Sequence, residues 1–264
     1  MAQHAATIYV LQHSPLHPPG YFLEVAMRHG ISLRVHEVSQ QRPLPAQGES
    51  LAGLVLLGGP GELHPQAPAH NAPWIQREIE LIRRAMAVDI PVLGHGLGGE
   101  LIAAALGTGV MRSTVKRIGW FEAQPLREAA PAAEWLEGVD DWLEMFQWHE
   151  QAFDLPVGAS RLFRSQWNPT EAFVLGNALA LQGHLEVDDR IIKGWLAEYA
   201  DQVSQPREDP TIHTKLNINW EEIVQGPEAI LSNLEGRLRR LHRLADQLYG
   251  RWLQAVEPGR TLAL

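Results

Sequence analysis

The sequence predicts an α/β fold in which a parallel sheet is covered by helices on both faces. Three observations predict it. Short apolar runs alternate with helical patterns through the first two-thirds of the 264 residues. Residues 51–57 are nearly all apolar, as a strand buried on both faces requires. Glycine-rich turns close two of the runs, at Gly58-Gly59-Pro60-Gly61 and across 94–99, and helical patterns follow them, the rhythm of βαβ units.

The elements follow in order. Residues 8–11 form a short apolar run, and a loop rich in Pro and Gly follows (Pro15, Pro18, Pro19, Gly20). Residues 21–29 read as a helix closed by Gly30, a favourable C-terminal cap. Residues 31–38 alternate like a strand. Residues 73–88 read as a helix, because Ile75, Ile79, Ile82 and Met86 recur at steps of three and four and share one face. Residues 91–93 are a short buried strand, and an apolar helix is expected over about 100–106. From 110 to 182 short strands and turns dominate, with Trp at 120, 135, 142, 148 and 167, a pattern expected of antiparallel additions at the sheet edge. Residues 191–203 read as a helix and 205–210 as a polar, proline-bearing linker. Ile230, Leu234, Leu238, Leu241, Leu248 and Trp252 mark a long amphipathic C-terminal helix. The expected division is a main domain over 1–204 and a linker with a helical extension over 205–264.

Composition narrows the function. Hydrophobic residues make up 45% and charged residues 20%, ordinary for a globular chain. A formal net charge of -9 disfavours phosphate backbones, so no nucleic-acid partner is expected. No apolar run approaches the roughly 20 residues of a membrane span, and residues 1–7 lack a signal-peptide pattern. The expected location is cytoplasmic, with no membrane partner. There is no cysteine, hence no disulfide, thiolate metal site or thiol nucleophile. The 12 His show no zinc-site spacing. No cofactor and no metal are expected.

The strand, glycine-rich turn and helix around residue 96 form the context of a nucleophile elbow, which exposes one residue at the sheet edge beside a helix N-terminus. That residue is Gly96, so the backbone device is present and a reactive side chain is not.

At this point a resemblance becomes specific. Pro91-Val-Leu-Gly-His-Gly-Leu-Gly-Gly-Glu-Leu-Ile-Ala resembles the P-V-L-G-I-C-L-G-x-Q-L-L-A segment of class I glutamine amidotransferases, of the stand-alone type similar to the glutaminase domain of GMP synthase. Other segments match in order. Leu11-Gln-His-Ser-Pro and Pro19-Gly20 resemble the first strand and loop. Leu54-Val-Leu-Leu-Gly-Gly-Pro resembles the loop that supplies an oxyanion-hole amide. Phe146-Gln-Trp-His-Glu-Gln-Ala-Phe-Asp-Leu-Pro resembles h-W-H-G-D-x-F-x-L-P, and Asn168-Pro-Thr-Glu-Ala-Phe resembles the N-Q-A-F turn. Ala180-Leu-Gln-Gly-His-Leu-Glu resembles the G-x-Q-F-H-P-E segment that carries the catalytic His and Glu. The match spans roughly residues 5–200.

The resemblance implies a flavodoxin-like core with antiparallel edge strands and a C-terminal helical extension. It implies that His184 is the base, that Glu186 orients it, and that the amides of Gly59 and Leu97 are oxyanion donors. An i, i+2 spacing on a strand would put His184 and Glu186 on one face. The nucleophile position falls on Gly96.

The chain departs from the family at several places. Glu100 stands where the family has Gln and would add negative charge near a substrate carboxylate. Arg117 stands where it has Glu, and His149-Glu150-Gln151 where it has H-G-D. His95 replaces an aliphatic residue. It is either a tolerated neighbour of the turn or, with His184 and Glu186, a replacement catalytic group or metal ligand. His149 is expected to pack near the pocket without a chemical role. Arg237, Arg239, Arg240 and Arg243 make either a solvated face or a docking surface for an acidic partner.

The leading expectation is a class I amidotransferase-like protein that has lost glutaminase activity. It would serve as a binding, scaffold or regulatory subunit, with a small-molecule ligand in the former glutamine pocket and a synthase partner or a homodimer. The alternative is a hydrolase or amidotransferase with thiol-free chemistry built on His184, Glu186 and His95.

Overall fold

In a computed structural model of the protein, residues 7–38, 44–46, 49–67, 72–204, 220–256 and 262–263 are described. The expected linker at 205–210 lies outside the described residues. Nine strands form one mixed sheet in the order β2-β1-β4-β5-β10-β9-β8-β6-β7. They are β1 (Thr7–Gln12), β2 (Ser32–Glu37), β4 (Gly53–Leu56), β5 (Val92–His95), β6 (Val110–Pro125), β7 (Leu143–Phe153), β8 (Ser160–Arg164), β9 (Ala172–Leu175) and β10 (Ala178–Leu181). Two further short strands, β3 (Ser50–Leu51) and β11 (Leu262–Ala263), pair with each other.

The half from β2 to β10 is parallel. The half from β9 to β7 is antiparallel, matching the edge additions that the short strands of 110–182 predict. This is the flavodoxin-like architecture expected from the sequence.

Alternation along the buried strands explains why helices cover both faces. Val10, Val55, Leu57, Leu93, Leu179 and Leu181 pack in one apolar cluster, and Tyr9, Leu11, Leu54, Leu56, Val92 and Ala180 pack in another. The first is closed by α1 (Tyr21–Arg28), α5 (Asp189–Glu198) and α8 (Leu234–Gln254). The second is closed by α2 (Pro73–Ala87) and α3 (Leu97–Ala105). Two short helices, α4 (Ala130–Trp135) and α6 (Ala200–Ser204), add Ala132 and Val203 to the first cluster.

Several boundaries differ from the sequence reading, each for a local reason. Helix α3 starts at Leu97 rather than near residue 100, because Gly96 already turns the chain and its carbonyl accepts from Glu100 N–H at 3.0 Å. The helix expected over 191–203 is two helices that break at Tyr199. The first begins two residues earlier, where the Asp188 carboxylate caps Ile191 N–H at 2.8 Å. Ile230 sits on a separate short helix, α7 (Pro227–Leu231), and Asn233 enters α8 with a φ of 50°.

The apolar stripe of α8 is covered within its own chain. Leu238, Leu241, Leu244, Ala245, Leu248, Tyr249 and Trp252 all join the cluster shared with α1 and α5. Arg237 and Arg240 reach Glu144 of β7, and Arg239 pairs with Glu235 one turn away.

The turn from β5 into α3 is closely packed. A Cβ on Gly98 would stand 2.1 Å from the Leu56 carbonyl oxygen, so α3 approaches β4 backbone to backbone. By contrast, a Cβ on Gly194 in α5 would meet nothing within 4 Å. We therefore expect Gly98→Ala to lower stability by about 3 kcal/mol or to prevent folding. Gly194→Ala should raise stability by roughly 0.5–1 kcal/mol. Urea unfolding of both variants checks the pair, and equal effects would contradict this packing.

Candidate functional site

The parallel strands β4, β5 and β10 end together, and their following loops make the site, the usual position for a ligand crevice in an open parallel sheet. Gly96 adopts φ 52° and ψ −116° between β5 and α3. Its N–H donates to the Leu181 carbonyl at 2.9 Å, which fixes the turn against β10. Such a backbone strains any residue with a side chain, and glycine takes it freely.

His184 and Glu186 lie beyond the end of β10, in the loop that leads to α5, not on a strand as the sequence suggested. Their pairing survives because the loop is pinned elsewhere: His184 N–H donates to the Phe146 carbonyl at 2.8 Å, and Glu186 accepts from Tyr21 N–H at 2.8 Å. His184 Nδ1 meets Glu186 Oε1 at 2.7 Å, with both side chains buried. With Nδ1 donating to the carboxylate, a neutral His184 presents a bare Nε2. That edge faces the elbow, since a Cβ on Gly96 would stand 2.9 Å from His184 Cε1 and 3.1 Å from Nε2. Trp195 sets its ring against His184 at 80°, with centroids 4.9 Å apart.

Glu186 is shared. Its Oε2 faces His95 Nδ1 at 3.2 Å, an ion-pair distance outside hydrogen-bond geometry. His95 Nε2 contacts the Tyr249 hydroxyl at 3.0 Å, so α8 reaches the back of the site. Burial alone would push the Glu186 carboxyl up, but His95 and His184 hold it down, at about 2. Burial lowers the His95 imidazole and raises the Tyr249 phenol well above its ordinary value. His95 is fully buried behind Gly96 and does not line the cavity. Its nitrogens face Glu186 and Tyr249 rather than the cavity. Among the described residues no group of three His, Cys, Asp or Glu is arranged to hold a metal ion.

The cavity over the elbow has a volume of about 330 Å³. The sequence-predicted residues Gly59, Gly96, Leu97, Glu100, His149 and His184 all line it. The Gly59 loop is held from behind by His13, whose Nδ1 meets the Leu57 carbonyl at 2.9 Å and whose Nε2 meets Glu78 Oε2 at 2.8 Å. Leu97 is the first residue of α3, where backbone N–H groups have no partner within the helix.

Glu100 departs most from expectation. It is buried, and its two oxygens accept from Gln182 Nε2 and Gln151 Nε2, each at 3.0 Å. Burial raises its carboxyl to about 7, against the lowering effect of the Gln182 bond. It therefore carries only part of a negative charge near neutral pH. Gln151 also accepts from Leu63 N–H at 2.6 Å and His64 N–H at 3.0 Å, tying β7 to the loop after β4.

Arg117 lies beneath the pocket in a buried pair with Glu171 at 2.5 Å. It donates to His149 Nε2 at 2.9 Å, and His149 Nδ1 then donates to the Gln151 carbonyl at 2.7 Å. Burial first, and Arg117 second, hold the His149 imidazole well below its ordinary range. It links Arg117 of β6 to the Gln151 backbone of β7.

The sequence reading missed His17, Lys116, Tyr199 and Gln202, which also line the cavity. Burial, with His184 nearby, lowers His17 to about 3. Lys116 adjoins Arg117 in a segment that the resemblance covers and was legible there. Tyr199 and Gln202 reach the cavity only through the break between α5 and α6, and no spacing announces them.

A parallel sheet with an elbow at the end of β5, and a His–Glu pair after β10, define a glutamine amidotransferase-like protein. The glutamine amidotransferase class-I family model matches residues 22–193, and the chain belongs to that family. It is similar to the crystal structure of a glutamine amidotransferase from Methylobacillus flagellatus, with 31% identity, 97% of each chain covered and a TM-score of 0.85. It is 26% identical to the glutamine amidotransferase-like protein YfeJ of Salmonella typhimurium over 74% of this chain and 81% of that one. It is 29% identical to the glutamine-hydrolysing GMP synthase of Aeropyrum pernix, over 61% of this chain but 31% of that protein. No helix among the described residues is long and apolar enough to cross a membrane.

The raised Glu100 carboxyl has a consequence for stability. In the unfolded chain it returns to near 4.5, so its contribution is fully present below about 4.5 and is lost as pH rises through about 7. Glu100→Gln removes this dependence. The melting temperature of the variant relative to the native protein should therefore rise between pH 5 and pH 8. A difference that stays constant across that range would contradict the burial of an ionisable group here.

Proposed function

We propose that this member of the class I glutamine amidotransferase family is a binding or regulatory protein that does not hydrolyse glutamine. One observation carries the reading: the elbow residue is Gly96, and the chain contains no cysteine. In the proposed assignment Gly96 occupies the position of the family's nucleophile, with His184 and Glu186 as base and orienter and Gly59 and Leu97 as amide donors. The attacking atom is absent. Thioester chemistry needs a thiolate, and no hydroxyl takes its place. The His184–Glu186 pair persists because it is also the buried electrostatic link among β5, the loop after β10 and α8.

The pocket is an open cleft of about 330 Å³, of a size suited to a small molecule. Among relatives the glutaminase portion is part of a glutamine-hydrolysing GMP synthase. This supports a synthase partner more than a homodimer, because the α8 stripe that could have formed a dimer is covered internally. The reading places the protein in the cytoplasm.

A second reading, thiol-free hydrolysis with water as the nucleophile, has one observation in its favour: the His184 edge that carries Nε2 faces the elbow with its orienting carboxylate in place.

Glutamate and ammonia release from glutamine, measured for the native protein and for Gly96→Cys, tests the proposal. The native protein should release none above the buffer rate. The variant should release little, because its new Cβ would crowd His184 and the pocket has changed around it. Release by the variant alone would confine the loss to the missing thiol. Release by the native protein, unaffected by thiol reagents, would overturn the proposal in favour of water attack.

A further inference from the structure

Behind the cavity wall lies a buried pair whose hydrogen bonds fix its proton count. His13 follows β1 and Glu78 lies on α2, with side chains 3% and 1% exposed. Both ring nitrogens of His13 face oxygen. Nδ1 meets the Leu57 carbonyl at 2.9 Å, and Nε2 meets Glu78 Oε2 at 2.8 Å. A neutral imidazole has one N–H and one bare nitrogen, whereas a carbonyl oxygen and an ionised carboxylate only accept. A neutral His13 beside an ionised Glu78 would therefore set lone pair against lone pair at one of the two contacts. Moving the single proton to the other nitrogen only transfers the conflict. Burial makes such a conflict costly. The other Glu78 oxygen, Oε1, is buried without a hydrogen-bond partner, so among the described residues His13 is the group that satisfies this carboxyl.

The pair acts on the cavity wall through the Leu57 carbonyl. Leu57 leads from β4 into Gly58 and Gly59, and Gly59 lines the cavity. A Cβ on Gly59 would stand 2.5 Å from His13 Cβ, so the loop rests directly on this side chain. The far end of the loop is held from β7, where Gln151 accepts from the N–H groups of Leu63 and His64. With a single N–H, His13 would have to choose between two acceptors. An ionised carboxylate is the stronger one, and the Leu57 bond would be the one lost. A second proton in the pair removes the choice.

We propose that His13 and Glu78 hold one proton more than a neutral imidazole and an ionised carboxylate, and that this proton makes His13 a positioning residue for the Gly59 loop. The proton lies on His13, giving an imidazolium–carboxylate pair, or on Glu78, whose O–H then donates to Nε2. In both forms His13 Nδ1–H stays on the Leu57 carbonyl. The inference concerns the wall of the cavity and holds whether or not the protein hydrolyses glutamine.

Nuclear magnetic resonance of the full chain, labelled with ¹⁵N in histidine and ¹³C in the glutamate carboxyl groups, counts the protons at pH 7. The signals of the pair are those absent from a double variant, His13→Phe with Glu78→Leu, and those moved in Glu78→Gln. The native protein should show His13 with both ring nitrogens protonated, or a protonated Glu78 carboxyl. His13 with one ring proton beside an ionised Glu78 overturns the inference. In Glu78→Gln the side-chain amide can donate to a bare Nε2 and replace the shared proton. His13 should then carry its proton on Nδ1 alone, and hydrogen exchange at the Leu57 and Leu63 amides should match the native rate. The double variant has no donor for the Leu57 carbonyl and leaves no carboxylate buried alone. Exchange at the same amides should quicken about tenfold, the scale of one buried hydrogen bond. Native exchange in the double variant, or equal acceleration in Glu78→Gln, overturns the positioning role. Should the double variant not fold, the proton count and the Glu78→Gln exchange still decide.

Discussion

One buried carboxylate organises the site. Glu186 stands between His184 and His95, two imidazoles from different parts of the chain, and through His95 it is linked to Tyr249 on α8. A carboxylate inside a protein is costly unless charge and donors surround it. Here His184, in the loop after β10, is hydrogen-bonded to it, and His95, at the end of β5, lies at ion-pair distance and is itself bonded to Tyr249 of the C-terminal helix. The same group that would orient a catalytic histidine thus also joins three elements. The His184–Glu186 pair therefore has a structural role of its own.

The second constraint is steric. The glycines from 94 to 99 let α3 lie directly against the ends of β4 and β10, where a Cβ on Gly98 or Gly99 would strike a carbonyl oxygen. The elbow geometry at Gly96 follows from that close packing and from the short link between β5 and α3. It does not depend on what the elbow residue carries. In this chain the turn holds its conformation with no side chain at the elbow. His184 stands close enough to Gly96 that its ring occupies part of the room a side chain would need.

Around this frame the pocket walls are joined by buried polar links. Gln151 bonds to the backbone of the loop after β4 and to Glu100, and Arg117 joins Glu171 to His149. Glu100, Gln151, Arg117 and His149 all find partners on other elements or on one another. Glu100 illustrates the effect: a residue that reads as a negative charge becomes, through burial, an acid that titrates near neutrality.

The sequence alone determined the layered α/β order, because apolar strands buried on two faces and helices buried on one leave different periodicities. It also located the elbow, since a glycine run between a strand and a helix has few conformations, and it named His184, Glu186, Glu100, Gly59 and Leu97. It carried no sign that His95 faces away from the cavity, that Tyr249 closes the far side of Glu186, or that Tyr199 and Gln202 enter the pocket. Those contacts join residues as far as 154 positions apart, and the His95–Tyr249 bond is the case in point. Local periodicity records which face of an element is buried. Which distant side chain meets it there, and whether a charge survives the burial, is decided only when the layers pack.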